Sequence, residues 1–567
     1  MLYFFLIVWA LFGMLMKVGE RGTPPAKYPT VLGKAPHPLR GSILKGAFFV
    51  LTTIYVITAL LLAVYAFNSW VLTALYWRRR RQAGPSLPPV EASTLPVVTV
   101  QLPIFNEALV VERLIDAAVQ LDYPHHRLEI QVLDDSTDET TQIATQRVEF
   151  YRQQGFNISL VHRDERPGFK AGALKAGMEV AAGEFLAIFD ADFVPQPDFL
   201  QKTIPHFLHR PQVGFVQTRW GHLNRDYSRL TATQALALDG HFVVEQTARN
   251  RNNLLMNFNG TAGVWRRACI ISAGNWHGDT ISEDFDLSYR AQLAGWRCLF
   301  LPDVVAPAEI PPQLAAFKRQ QFRWAKGSIQ CFKKLGWRVF RSPLSLWVKI
   351  QALIHLSSYL VHPLMVILAV ITPILMITGG ISQIRFPLIY LSLVSLGPPF
   401  LYAVAQSQLS PQGWGRRYRM MPLLILLGSG IAVSNTKAVI EAFLGVGNVF
   451  RRTPKFRVMT TADQWRNSVY SLPLDGLVVG ELALSLYSLV GASIAAVTGN
   501  QFAVPFILMY AFGFGYVGLQ GLWDAWQSSR RSKQSAVPKP PAPTPKRSRT
   551  RTKLSSRKSS HPQTVHR

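Results

Sequence analysis

Acidic side chains are scarce in this chain: Asp and Glu number 33 against 60 Lys and Arg, and only 16% of its 567 residues are charged. So little charge, set against 49% hydrophobic residues bunched into long runs, argues against a large soluble globule and for a membrane protein. Cysteine is scarcer still. Cys269, Cys298 and Cys331 have neither paired spacing nor a small secreted domain around them, which excludes a disulfide or zinc framework. No internal repeat is evident. The net charge of +27 raises the question of nucleic acid. The excess, however, collects in Arg78 to Arg81, in the Arg416/Arg417/Arg419 and Arg451/Arg452 patches and in the tail from Arg530 onward, beside apolar segments. Basic residues beside spans are a topology and anionic-lipid signal, so membrane lipid is the expected partner and nucleic acid is not.

Ala47 to Trp77 exceeds the roughly 20 residues that cross a bilayer and ends on four arginines, which predicts one span with Arg78 to Arg81 in the cytosol. Leu2 to Met16 is marginal in length and reads as a span, an interfacial segment or an uncleaved signal anchor. The basic loop Lys17 to Lys45 conflicts with an outside location. Residues 1–82 are thus one or two membrane segments, and 83–95 a linker. Beyond Arg341, Ile350 to Thr378 and Phe386 to Ala405 predict two spans, and Leu474 to Thr498 and Phe502 to Trp526 two more. Met420 to Phe450 contains Asn435, Lys437 and Glu441 and has arginines at both ends, which favours a re-entrant or interfacial helix pair. An even count of about four spans over 346–526 leaves the tail in the cytosol. That tail, 527–567, is basic and rich in Ser and Pro, the composition of a disordered segment drawn to anionic lipid.

Residues 96–345 differ in character, with short apolar runs, acidic loops and amphipathic stretches. Val97 to Leu102, Leu128 to Leu133, Ile158 to His162 and Phe185 to Phe189 read as buried strands; Ala108 to Leu121, Thr137 to Gln154 and Gly172 to Ala182 carry helical spacing. This alternation predicts an α/β domain with a mostly parallel, doubly wound sheet, whose ligands gather at the carboxyl ends of the strands.

Four clusters stand in order along that domain: LDDSTD (Leu133 to Asp138), FDAD (Phe189 to Asp192), SED (Ser282 to Asp284) and QQFRW (Gln320 to Trp324). Asp190 and Asp192 at a strand end can offer carboxylate oxygen to a hard cation such as Mg2+ or Mn2+, although an isolated Asp-x-Asp is as often a turn or cap. Ser136 or Thr137 can cap the helix that follows, and Asp138 with Glu139 suits its N-terminus. For Asp134 and Asp135 a turn needs one carboxylate and two repel, so both are assigned to the base or ribose of a nucleotide. Ser282 with Glu283 and Asp284 opens the run DFDLSYRAQLAG, either as a helix cap or with Asp284 as general base. Arg323 can grip phosphate oxygens, the Trp324 face suits a pyranose, and Gln320 adds an amide donor. The same helix also reads as amphipathic at the membrane surface.

With these motifs, and with QLPIFNE, RPGFKAGAL, VGFVQTRW and FNGTAGVWRR beside them, residues 96–345 resemble a family 2 glycosyltransferase of GT-A fold. The type is the processive cellulose synthase one, closest to the glucomannan and xyloglucan-backbone synthases. Ser-Glu-Asp stands here for that family's Thr-Glu-Asp. The resemblance implies that Asp135 contacts the nucleotide, that Asp192 with Asp190 holds metal and diphosphate, and that Lys170 lies near the donor. It also implies that Phe258, Asn259, Gly260 and Thr261 face the acceptor with Glu283, that Asp284 is the base, and that Gln320 and Arg323 hold pyrophosphate while Trp324 stacks on the acceptor sugar. The TPKF stretch after Arg452 stands where the family has a gating loop but departs from its F-x-V-T-x-K pattern. A C-terminal PilZ-like domain and an N-terminal Cys-rich zinc module are both expected to be absent.

The implied activity is inverting transfer of hexose from UDP-glucose, with GDP-mannose close behind, to the 4-hydroxyl of a growing β-1,4-glycan, processive and coupled to export. The catalytic domain is expected in the cytosol, at a plasma, inner or Golgi membrane; self-association is left open. Two rivals remain. Ceramide or diacylglycerol glucosyltransferases share D-x-D and Q-x-x-R-W but use a lipid acceptor that needs no channel, and an inactive export scaffold would not need every acidic motif.

Overall fold

Pro38–Arg79 forms one unbroken helix, α1, and its apolar part from Gly46 onward has the length and composition of a bilayer span. The computed structural model describes residues 38–81, 90–377, 393–447, 450–465, 468 and 470–534. The expected segment Leu2 to Met16, most of the basic loop after it, part of the 83–95 linker, the start of the Phe386 to Ala405 span and the tail beyond 534 lie outside the described residues.

The four apolar runs form β1 (Val98–Ile104), β2 (Leu128–Asp134), β3 (Ile158–His162) and β4 (Phe185–Ile188). Between them lie α2 (Val111–Val119), α3 (Thr140–Gln153) and α4 (Phe169–Val180). Almost every residue of β1, β2 and β4 is buried, the pattern of strands covered on both faces. Three more strands, β5 (Val213–His222), β6 (Gly263–Arg266) and β7 (Arg297–Ala308), complete a seven-stranded sheet of order β3-β2-β1-β4-β6-β5-β7. Pairing is parallel except at β6, which runs against β4 and β5. This is the expected GT-A α/β sheet, with the single reversal at the strand that carries the FNGTAG segment into the cleft.

A helical rod follows β5. It comprises α5 (Arg229–Asp239), a π-helical turn over Gly240–Gln246 and a short continuation, Thr247–Arg251. Further on come α6 (Glu283–Leu293) and the long α7 (Leu314–Arg341).

The C-terminal region contains α8 (Leu346–Leu356), α9 (Val361–Ile377), α10 (Gly397–Leu409), α11 (Met421–Gly430), α12 (Ala432–Leu444), α13 (Val478–Val497) and α14 (Val504–Gln534). Among the described residues four stretches are long and apolar enough to cross a bilayer: Gly46–Arg79, Ser358–Ile377, Val478–Val497 and Val504–Gln527. They mark a membrane protein. The single span expected over Ile350 to Thr378 is divided at Ser357, whose hydroxyl turns back to donate to Leu353 O (2.7 Å). Ala352 and Leu356 of α8 are drawn instead onto Tyr289, Leu335 and Val339 of the catalytic domain. The helix pair expected within Met420 to Phe450 is α11 and α12, and the helical stretch ending in α11 meets α12 at 43°.

Helix α7 joins the two regions. Lys318 Nζ lies 2.6 Å from Glu481 Oε1 on α13, and Lys326 Nζ lies 3.0 Å from Glu441 Oε2 on α12. Both lysines are buried, so these pairs fix the QQFRW helix against the membrane helices.

Candidate active site

The adjacent carboxylates at the end of β2 take separate partners. Asp134 is fully buried, and its oxygens accept from Ser136 N–H (2.9 Å), the Thr141 hydroxyl (2.7 Å) and His162 Nδ1 (2.8 Å). The turn role set aside in the sequence is therefore one that Asp134 fills, with its side chain buried among these three donors. Asp135 is gripped by the Arg163 fork, Nε to Oδ1 at 2.7 Å and Nη2 to Oδ2 at 2.6 Å. Arg166 lies 3.4 Å from the same carboxylate, with its guanidinium 3.3 Å over the Phe105 ring. The neighbouring aspartates thus take separate partners, Asp134 three hydrogen-bond donors and Asp135 the arginine charges. Asp138 stands just before α3, whose N-cap position is Glu139, and accepts from Thr140 N–H at 2.9 Å; neither Ser136 nor Thr137 caps the helix.

FDAD follows β4. Lys170 Nζ donates to Asp190 Oδ1 (2.5 Å) and to Gly260 O (2.8 Å). Burial opposes the Lys170 charge, but Asp190, Glu283 and Asp284 outweigh it and hold its pKa above the usual lysine value. Asp192 Oδ2 lies 2.8 Å from Lys455 Nζ, while its Oδ1 is buried with no hydrogen-bond partner among the described residues. An orphaned carboxylate oxygen beside Asp190, whose side chain is 34% exposed, fits a hard divalent cation that takes its remaining ligands from phosphate and water.

Within the expected acceptor stretch the side chains divide by role. Phe258 is fully buried against Phe215 and Trp265, leaving no open face for a sugar. Thr261 is buried too, and its Oγ1 accepts from Asp190 N–H at 2.8 Å. These two support the cleft from behind, a correction to the acceptor role expected of them. Asn259 is partly exposed, and Gly260 adopts φ 80, where a Cβ would lie 3.2 Å from Asp284 Oδ2. Glycine is required there because both the backbone angle and the proximity of Asp284 disfavour a side chain.

Glu283 and Asp284 open α6. Ser282 occupies the N-cap position, but its hydroxyl makes no capping bond among the described residues. It packs instead on Gly327 of α7, where a Cβ would collide with it. Burial, followed by the charge of Glu283, pushes Asp284 up to about 7 against the pull of Lys170. Burial also raises Glu283, again opposed by Lys170. On α7, Gln320, Arg323 and Trp324 are spaced i, i+3, i+4 and so share one face, and all three are partly exposed.

The segment after α12 crosses the cleft, and sequence reasoning missed most of its contacts. Phe450 stacks on Phe169 with centroids 5.8 Å apart and lies 4.8 Å under the Arg323 guanidinium. Arg452 bonds to Asn106 O and lies 3.0 Å from Glu107 Oε2. Burial pushes Glu107 up to about 7, although Arg452 and Lys455 oppose the shift. Phe456 N–H donates to Glu309 Oε1 (2.9 Å), and the Tyr470 hydroxyl to Asp138 Oδ2 (2.7 Å). The signal begins at Phe450, three residues before the TPKF stretch. Counted from Phe450, the chain reads Phe450-Arg451-Arg452-Thr453-Pro454-Lys455, which keeps the Phe, Thr and Lys of F-x-V-T-x-K and departs at Arg452.

The family described as "Glycosyltransferase like family 2" matches residues 96–327. Glucomannan 4-beta-mannosyltransferase 2 of Arabidopsis thaliana is 42% identical over 293 residues, 50% of this chain and 55% of that protein. The chain thus spans about half the length of the first curated relatives it matches. Glucomannan 4-beta-mannosyltransferase 1 of Oryza sativa subsp. japonica is 34% identical over 453 residues, covering 76% of this chain and 84% of the relative. Among solved structures, a mannosyltransferase from Pyrobaculum calidifontis in complex with GDP-Man and Mn2+ aligns over 70% of this chain and 100% of its own. Its TM-score is 0.45 at 22% identity. The rice alignment runs well beyond the catalytic domain, and on that breadth the chain belongs to the cellulose synthase-like family 2 glycosyltransferases.

Proposed function

We propose that this protein transfers a hexose from a nucleotide diphosphate sugar to the 4-hydroxyl of a growing β-1,4-glycan, with inversion and with export through its own membrane helices. One observation carries the reading. Lys170 ties Asp190 to Gly260, and Gly260 abuts Asp284, so the metal-type carboxylates and the candidate base stand on two sides of one backbone segment. A donor sugar held at FDAD then meets an acceptor hydroxyl held at Asn259 and Gly260.

Asp190 and Asp192 would hold Mg2+ or Mn2+, which when bound neutralises the donor diphosphate. Asp284, its affinity for protons raised by burial and by Glu283, takes the proton from the acceptor hydroxyl as the new glycosidic bond forms. Arg323 and Lys455 bring positive charge to the departing diphosphate, and the crossing segment excludes water that would otherwise hydrolyse the donor. Trp324, next to Arg323 on α7, is assigned to stack on the acceptor sugar. Asp135, with Arg163 and Arg166, forms the nucleotide side, and the GT-A domain is assigned to the cytosolic face.

The relatives' names favour mannose as the hexose, reversing the order of donors expected from the sequence, where UDP-glucose came first. The test is purified full-length protein in nanodiscs with Mn2+, given radiolabelled GDP-mannose and UDP-glucose separately, with products sized and digested by linkage-specific glycanases. A long mannanase-sensitive polymer from GDP-mannose is expected. A labelled lipid bearing one hexose would overturn the reading.

A further inference from the structure

Seven residues of the rod after β5, Gly240–Gln246, are wound as a π-helical turn. Such turns are rare and tend to mark functional positions, because the extra residue per turn re-aims side chains. Here the turn passes close to α10 at Gly240, where a Cβ would collide with the Tyr402 ring. It also presents His241 and Glu245, four residues apart, towards the acceptor segment. His241 Nδ1 donates to Glu245 Oε2 at 2.9 Å, and Asn259 Nδ2 lies 3.0 Å from His241 Nε2. Gln246 Nε2 donates to Asn259 Oδ1 at 2.7 Å, and Asn259 N–H donates to Gln217 Oε1 at 2.8 Å. Asn259 is therefore held at its backbone and at both ends of its amide.

The arrangement sets hydrogen-bond polarity. With Glu245 on Nδ1, a singly protonated ring carries its proton there, so Nε2 is left as the acceptor that faces the NH2 end of the Asn259 amide and, at 3.3 Å, the Gln246 amide. One amide N–H and one lone pair of Oδ1 then have no partner among the described residues, on the residue next to Gly260, which itself abuts Asp284. A donor and an acceptor side by side suit the neighbouring hydroxyls of a pyranose. The space is wet. The His241 side chain is 27% exposed and that of Glu245 34%, although the phenols of Tyr359 and Tyr402 come within the field of the Glu245 carboxylate. Tyr359 in turn donates to Gln321 Oε1 on α7 at 3.2 Å, so the surroundings of the turn reach the QQFRW helix.

We propose that His241 and Glu245 are acceptor-positioning residues, which fix the Asn259 amide so that it bonds hydroxyls of the acceptor's terminal sugar. This rests on the proposed function and adds the residues that orient the sugar about to be extended. Losing the imidazole removes the partner of the amide's NH2 end and leaves Gln246 alone to orient it, which weakens acceptor binding without touching the nucleotide. His241→Gln keeps an acceptor oxygen near the position of Nε2, whereas His241→Phe keeps only the ring volume.

The experiment uses the full chain in nanodiscs with GDP-mannose, Mn2+ and β-1,4-mannotetraose as acceptor, and follows GDP affinity by calorimetry. His241→Phe and Glu245→Leu should each raise KM for mannotetraose about tenfold or more, with a smaller change in kcat and unchanged GDP affinity. His241→Gln should recover most of the lost affinity. An unmoved acceptor KM in both loss variants overturns the proposal, as does loss of GDP affinity in step with KM, which marks a merely structural role. If His241→Phe does not fold, Glu245→Leu and His241→Gln decide by the same criteria. A wild-type protein that extends mannotetraose from neither GDP-mannose nor UDP-glucose overturns the underlying function instead, and is seen before any variant is made.

Discussion

Lys455 Nζ lies 2.8 Å from Asp192 Oδ2, so the segment that crosses the cleft seats its ammonium on a carboxylate suited to a metal. Burial disfavours the Lys455 charge, but Asp192 and Glu107 outweigh burial and hold its pKa above the usual lysine value. A divalent cation arriving at Asp192 must share that carboxylate with a fixed positive charge. Lys455→Met is therefore expected to lower the Mn2+ concentration for half-maximal rate by roughly tenfold, while turnover falls because the diphosphate loses a countercharge. Initial rates against Mn2+ concentration check this. An unchanged midpoint would mean that Lys455 leaves Asp192 before the metal binds.

Asp284 must be ionised to accept a proton, so kcat/KM for the acceptor should fall as pH drops below about 7, the value to which burial and Glu283 push it. The sign follows from the raised pKa: the active, deprotonated form is full above that value and is lost about tenfold per unit below it. Because Glu283 and Asp284 influence one another, the limb belongs to the pair. Glu283→Gln removes the neighbouring charge and should move the limb to lower pH. Asp284→Asn should cost about 10² to 10⁴ in rate with nucleotide affinity intact; normal turnover in that variant would remove Asp284 from the role of base.

Four strands and three helices were legible because alternating apolar runs of fixed length leave little freedom once both faces of a sheet are covered. The placement of LDDSTD and FDAD was legible for the same reason, since the carboxyl ends of β2 and β4 deliver them to one edge, whereas SED opens α6 and comes there through tertiary packing. Which of two adjacent residues faces the cleft was not. Asp134 and Asp135 differ only in the partners that tertiary structure brings to them, His162 to one and Arg163 to the other. Phe258 and Asn259 alternate along an extended segment, and neither periodicity nor motif tells which face meets the core. The break at Ser357 is a packing decision, made by the catalytic domain's demand for Ala352 and Leu356.

Gly327 lies within α7, where glycine weakens a helix by about 1 kcal/mol relative to alanine. It is tolerated because the Ser282 hydroxyl occupies the space of a Cβ. Gly327→Ala should improve local helix propensity and still destabilise the protein by roughly 1–3 kcal/mol through overpacking. It should also lower turnover, since α7 and the turn bearing Asp284 must move apart. Thermal unfolding in detergent read beside the transfer rate checks both. A more stable variant with full activity would mean that Ser282 can rotate away without disturbing Asp284.

The Lys318 to Glu481 pair, 6% and 0% exposed, anchors the QQFRW helix to α13. Removing one partner of such a buried pair leaves an uncompensated charge at a cost of about 3–5 kcal/mol, whereas replacing both by apolar groups of similar volume can be close to neutral. Lys318→Met alone should therefore unfold the protein at markedly lower temperature, and so should Glu481→Gln to a lesser degree, because its amide can still be partly satisfied. Lys318→Met combined with Glu481→Leu should recover most of the stability. If the pair also sets the register of α7 against the membrane helices, the double variant will regain stability without full transfer activity, since Gln320, Arg323 and Trp324 all ride on that helix. Recovery of both in parallel would instead show that packing around Leu314 and Phe317 against Leu427 and Val517 suffices to hold the register.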